Sequence, residues 1–170
     1  EIGLRDAIRS SRRVSNPGCY STGFIALVRP LVQAGIVPVE VPISVNAVSG
    51  YSGGGKAMIA EFEDASSATY TTVPYRIYAT ALGHKHLPEM QALCGLARPP
   101  IFAPAVGRYA QGMIVEVPLA LWSLPGSPSL TTVRDVLAQA YAGERFVEVA
   151  TAEEAAAVRT LDPEGLNGTN

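Results

Sequence analysis

The chain has 170 residues, 48% apolar and 16% charged, with a net charge of −2. That length and apolar content suit one globular domain with a buried core and exclude a disordered chain. The charge balance leaves no footprint for nucleic acid or an anionic membrane surface, and no apolar run reaches the ~18 residues of a membrane span. Two widely separated cysteines, Cys19 and Cys94, without a signal peptide, do not make a disulfide framework, so a reducing, cytoplasmic setting is expected. The sequence opens at Glu1 without Met and closes on the polar run Leu166-Asn167-Gly168-Thr169-Asn170, so it reads as a piece cut from a longer protein.

In chain order, residues 2–13 suit a short helix with a basic end. Pro17 and Gly18 then make a tight turn, and Phe24, Ile25, Leu27, Val28, Leu31 and Val32 recur at helical spacing up to Gly35. Cys19 thus sits in the turn that opens a helix. Residues 39–48 read as a strand running into the glycine-rich stretch Ser49-Gly50-Tyr51-Ser52-Gly53-Gly54-Gly55-Lys56. A short helix over 57–62 and a polar loop or edge strand over 66–72 follow, then a strand over 73–79. Pro88 suits the first turn of a helix ending near Gly95. Residues 101–106 form a strand interrupted by Pro104, and 112–122 carry the clearest alternation. Thr131 or Thr132 is expected to cap a helix over 133–141. A strand over 146–150 and a helix over 152–158, capped by Thr151, complete the chain. The mixture predicts a two-layer α+β fold, with a mostly antiparallel sheet and helices on one face.

Cys19 follows a Pro-Gly turn and precedes a helix, where unpaired N–H groups and the helix dipole favour a thiolate and can hold an oxyanion. Cys94, inside an apolar helix, reads as a core residue. A thiolate nucleophile needs a proton-handling partner, and His84 and His86 are the only histidines in the chain. No set of ligands at metal spacing surrounds them. Residues 50–56 imitate a nucleotide-phosphate loop, but Ala57 stands where that loop needs Ser or Thr for magnesium. What remains is a small-residue loop whose bare N–H groups, with Ser49, Ser52 and Lys56, suit an anion. Arg108, just before the strongest strand, is a further candidate for a carboxylate or phosphate.

Four segments carry a resemblance: Asn16-Pro17-Gly18-Cys19-Tyr20, the loop from Ser49 to Lys56, Gly83-His84-Lys85-His86-Leu87-Pro88-Glu89, and Gly107-Arg108-Tyr109-Ala110-Gln111-Gly112. In that order they resemble the second sequence type of the N-acetyl-gamma-glutamyl-phosphate reductases. The resemblance implies a domain like the C-terminal half of glyceraldehyde-3-phosphate dehydrogenase. Residues 1–13 would be the remnant of a junction with a missing NADP-binding Rossmann domain, and 14–170 the catalytic, substrate-binding and oligomerisation domain. It implies NADPH-dependent reduction of N-acetyl-glutamyl phosphate to the semialdehyde in arginine biosynthesis, through a thioester on Cys19, in a homodimer or homotetramer. One of His84 and His86 would be the acid/base, with His86, nearer the helix start, favoured. Asn16, Ser49, Ser52, Gly53, Lys56, Arg108 and Gln111 would meet the acyl-phosphate substrate. A related dehydrogenase acting on aspartyl or aminoadipyl phosphate, and a non-catalytic dimerisation fragment, are the competing expectations.

Overall fold

In the computed structural model, which describes residues 4–163, the chain begins with helices α1 (Arg5–Ser10) and α2 (Cys19–Gln33). Strand β1 (Ser44–Gly50), a 3-10 turn (Tyr51–Gly54) and helix α3 (Gly55–Glu63) follow, then β2 (Tyr75–Ile77) and α4 (Leu87–Cys94). Strands β3 (Ile101–Gly107) and β4 (Met113–Glu116), a second 3-10 turn (Leu121–Ser123) and helices α5 (Leu130–Ala140) and α6 (Ala152–Ala157) complete it. The expected helix start at Ile2 and the closing run 166–170 lie outside the described residues. No described helix is long and apolar enough to cross a membrane.

The fold is α+β, with a four-stranded sheet in the order β2-β3-β1-β4. The edges are antiparallel, but the central pair β1–β3 is parallel, from Ser44 opposite Ile101 to Gly50 opposite Gly107. The sheet is therefore mixed, where the sequence pointed to a mostly antiparallel one. Side-chain alternation is the same in both directions, so it carries no directional signal. Direction comes from the long connection through α3, β2 and α4, which carries the chain back to the end of the sheet where β1 began.

One sheet face is buried and the other open. Val45, Ala47 and Phe102 join Phe24, Val28, Leu31 and Met90 in a single apolar cluster with α2 and α4. Burying side chains such as Phe24 and Met90 completely stabilises by about 1.5–3 kcal/mol each. On the opposite face Ser44, Asn46, Ile101 and Glu116 are exposed.

Three expected elements differ. β4 stops at Glu116 because Glu116 faces Asn46, so continuing the register would set Pro118, which has no N–H, against Ser44. Residues 146–150 form no strand: no neighbouring strand among the described residues supplies a ladder, and they border a cavity instead. The helix expected over 133–141 starts at Leu130, capped by Ser129, whose hydroxyl accepts from the Thr132 N–H at 3.1 Å. Thr151 caps α6 as expected, in a reciprocal capping box with Glu154.

Pro30 lies inside α2 and cannot donate to the carbonyl of Ala26, one turn back. The hydroxyl of Tyr141, at the end of α5, fills that vacancy by donating to Ala26 O at 2.7 Å. A proline in the longest helix thus fixes where α5 docks. Tyr141→Phe should lower unfolding free energy by about 1 kcal/mol, the cost of a half-buried carbonyl left unpaired. In a Pro30→Ala background, where the helix regains its own donor, urea unfolding should show that cost largely removed.

Candidate active site around Cys19

The nucleophile turn is held by groups distant in sequence. Cys19 is the first residue of α2 and is exposed. Thr22 N–H closes the first helical bond onto Gly18 O at 2.9 Å, so the N–H groups of Cys19, Tyr20 and Ser21 have no intrahelical acceptor. Gly18 N–H donates to Glu89 Oε2 at 3.3 Å, and the Ser21 hydroxyl contacts both that carboxylate and Gly18 O. A Cβ at Gly18 would collide with the His86 ring and come within 2.7 Å of Ser21 Oγ. Glycine is therefore required here by close approach, not only by the turn.

His86 is 7% exposed and caps the start of α4, and its Nε2 lies against Gly18, one residue from the nucleophile. Its Nδ1 is buried without a hydrogen-bond partner. Burial, then the nearby Lys85 charge, hold its pKa below the ordinary 6.5, opposed by Glu89. His84 packs edge-on at 4.7 Å between ring centroids, and its Nδ1 accepts the His86 backbone N–H at 3.2 Å. Burial and the His86 charge likewise lower the pKa of His84. Ala79 and Leu82, with φ of 53° and 58°, sit in left-handed conformations in the turn that delivers this pair. Cys94 is buried, which raises its pKa to about 11, as suits a core thiol.

The glycine-rich loop is less open than its sequence suggests. The N–H groups of Gly50, Tyr51 and Ser52 donate to the carbonyls of Gly112, Tyr109 and Ala110 at 2.9–3.0 Å. The loop is thus zipped to the segment 107–112, and those three donors are not bare. A Cβ at Gly50 would fall within 2.6 Å of the Ala110 backbone, so the two segments meet at backbone contact. Behind the loop, the Tyr20 hydroxyl donates to Ala105 O at 3.0 Å and lies 2.7 Å from Ser49 Oγ. Tyr78 is held protonated, first by burial and then by a hydrogen bond to Tyr20.

A cavity of about 1120 Å³ brings Cys19 together with Ser49, Ser52 and Gly53, four of the expected site residues. Asn16 is exposed in the approach to the turn, and Lys56 is exposed on α3 outside the cavity lining. Gln111 is exposed, with its backbone N against Gly50. The Arg108 guanidinium donates to the carbonyls of Thr71 and Phe62 and to the Tyr70 hydroxyl. It braces the loop after α3 and does not line the cavity. Arg145 is the one cation among the described lining residues, which also include Glu148, Glu154 and Asp162. Neither Arg145 nor the Glu89 clamp carries a spacing signal, although Glu89 at the start of α4 suits that helix dipole. Among the described residues no His, Cys, Asp and Glu group is arranged to hold a metal.

The sequence is similar to those of known proteins. The chain is 54% identical over 166 residues to an N-acetyl-gamma-glutamyl-phosphate reductase of Brucella anthropi, covering 98% of this chain and 53% of that protein. It is 53% identical over 166 residues to the protein of that name from Brucella ovis, covering 98% of this chain and 54% of the relative. The chain therefore spans about half the length of the curated relatives it matches. A family profile described as "Semialdehyde dehydrogenase, dimerisation domain" matches residues 19–170, and the chain belongs to that family.

Proposed function

We propose that this chain is the catalytic and substrate-binding half of an NADPH-dependent reductase that converts N-acetyl-glutamyl phosphate to N-acetyl-glutamate semialdehyde in arginine biosynthesis, in the cytoplasm. The observation that carries the reading is Cys19 in the lining of the cavity, on a turn packed against a buried histidine. The names of the relatives supply the substrate. On this reading the domain has the glyceraldehyde-3-phosphate-dehydrogenase-like C-terminal layout, and residues 1–13 are its junction with the NADP-binding half.

His86, neutral at physiological pH, accepts the thiol proton through Nε2. Sγ of Cys19 attacks the acyl carbon, the bond to phosphate breaks with its electron pair leaving on phosphate, and a thioester remains. The unpaired N–H groups at the start of α2 hold the oxyanion formed during attack. Glu89 keeps those groups and His86 in register by fixing Gly18. NADPH, when bound, supplies the hydride that reduces the thioester. Gly50, Gly53 and Gly112 border the cavity without side chains and so suit close approach of a cofactor ring. The chain contains no Gly-x-Gly-x-x-Gly dinucleotide motif, so the rest of the cofactor belongs to the other half.

The open sheet face, with Ile77 and Ile101 exposed at 57% and 56%, is read as the seat of a second copy, in line with the family description. Ile101→Asp should shift the protein toward monomer in sedimentation velocity, and an unchanged dimer would move the interface elsewhere.

With the NADP-binding half joined to this chain, Cys19→Ala should reduce acyl-phosphate reduction by about 10⁴-fold or more, by analogy with loss of other nucleophiles. Retained turnover would exclude the thioester route. Because burial lowers the His86 pKa, the acid limb of kcat/KM should fall below pH 6.5 and disappear in His86→Asn. The same sign applies to stability. The folded value lies below the unfolded one, so His86 contributes stability above the unfolded pKa and loses it as pH falls through the folded pKa.

A further inference from the structure

Ser49 was expected to help the loop cradle an anion, a role that needs its hydroxyl proton free to donate. The proton count around Tyr20 points the other way. Tyr20 is 3% exposed, and its hydroxyl meets three groups: Ala105 O at 3.0 Å, Ser49 Oγ at 2.7 Å and the Tyr78 hydroxyl. The carbonyl can only accept. If the tyrosine proton turned to Ser49, two oxygen lone pairs would face each other across the 3.0 Å contact with Ala105. The arrangement that satisfies every group sends the Tyr20 proton to Ala105 O, and the Ser49 and Tyr78 protons both to Tyr20 Oη. The Ser49 lone pairs then face the cavity that Ser49 lines with Cys19. Gly53 keeps that side open, since even an added Cβ there would stand 3.5 Å from Ser49 Oγ.

We propose that Tyr20 is a positioning residue that makes Ser49 a hydrogen-bond acceptor toward the cavity, so that Ser49 selects an acyl phosphate bearing an N–H donor, as an N-acylated amino acid does. The proposal rests on the reductase reading for its substrate but concerns which part of that substrate Ser49 meets. Ser49 recognises the amide end, and the anionic ends are left to other groups. An ester in place of the amide sets an oxygen against the Ser49 lone pairs and is rejected for lack of a partner and for repulsion.

The test uses the chain joined to its NADP-binding half and reads protection of Cys19 from iodoacetamide. The probes are N-acetyl-L-glutamate and its ester analogue, O-acetyl-2-hydroxyglutarate. The amide should protect at about tenfold lower concentration than the ester, one hydrogen bond's worth. That preference should fall toward unity in Ser49→Ala and in Tyr20→Phe, with the double variant no worse than Ser49→Ala alone. In turnover, Tyr20→Phe should raise KM for the acyl phosphate several-fold with kcat nearly unchanged, and only while Ser49 is present. A purely structural role for Tyr20 would instead persist in the Ser49→Ala background, and that result overturns the proposal. So does equal protection by amide and ester in the unsubstituted protein, or no protection by either. Preference for the amide in a protein inert toward N-acetyl-glutamyl phosphate would sink the reductase reading and leave this assignment standing.

Discussion

Gly18 has no room for a side chain, and much of the site follows from that. Its α-carbon packs against His86, its N–H is taken by Glu89, and its carbonyl receives both Thr22 N–H and the Ser21 hydroxyl. The starts of α2 and α4 are thereby locked through one residue. A nucleophile on one helix terminus and a base on another need such a lock, because misplacement by about 1 Å costs roughly a hundredfold in rate. Glu89 suits the task electrostatically, since a carboxylate in the first turn of α4 meets the positive end of that helix.

The sheet supplies the second half of the site. The parallel strands β1 and β3 end together at Gly50 and Gly107, and the chain leaving each one meets the other through backbone hydrogen bonds. That zip uses three of the N–H groups a glycine-rich loop would otherwise offer to an anion, those of Gly50, Tyr51 and Ser52. It yields rigidity, and it leaves recognition to side chains such as Ser49 and Arg145. Arg108, exposed in sequence context as a plausible anion ligand, is drawn into the same scaffolding by three acceptors around the loop after α3.

Much of the fold was legible because local rules sufficed. The helical spacing from Phe24 to Val32 placed α2, Gly95 ended α4 in a left-handed conformation, and Thr151 capped α6. The misses occurred where the outcome depended on a neighbour. Residues 112–122 alternate throughout, yet only Met113–Glu116 find partners on β1. Residues 146–150 have strand composition but no adjacent edge among the described residues. Pro104 lies inside a central strand because its carbonyl accepts from Tyr78 N–H just past the end of β2, where no ladder demands its missing donor.

The sequence by itself determined the periodic elements, the thiol at a helix start and the order of four motifs, since each is written in residues close along the chain. Only the tertiary structure decided that Glu89 clamps the Gly18 turn, that His86 is the buried histidine against it, and that Arg145 borders the Cys19 cavity. It also decided that three of the loop's amides, those of Gly50, Tyr51 and Ser52, are occupied, and that Ser49 Oγ sits beside the Tyr20 hydroxyl. The reason is physical: burial and hydrogen-bond partnership are set by groups that folding brings together from distant parts of the chain.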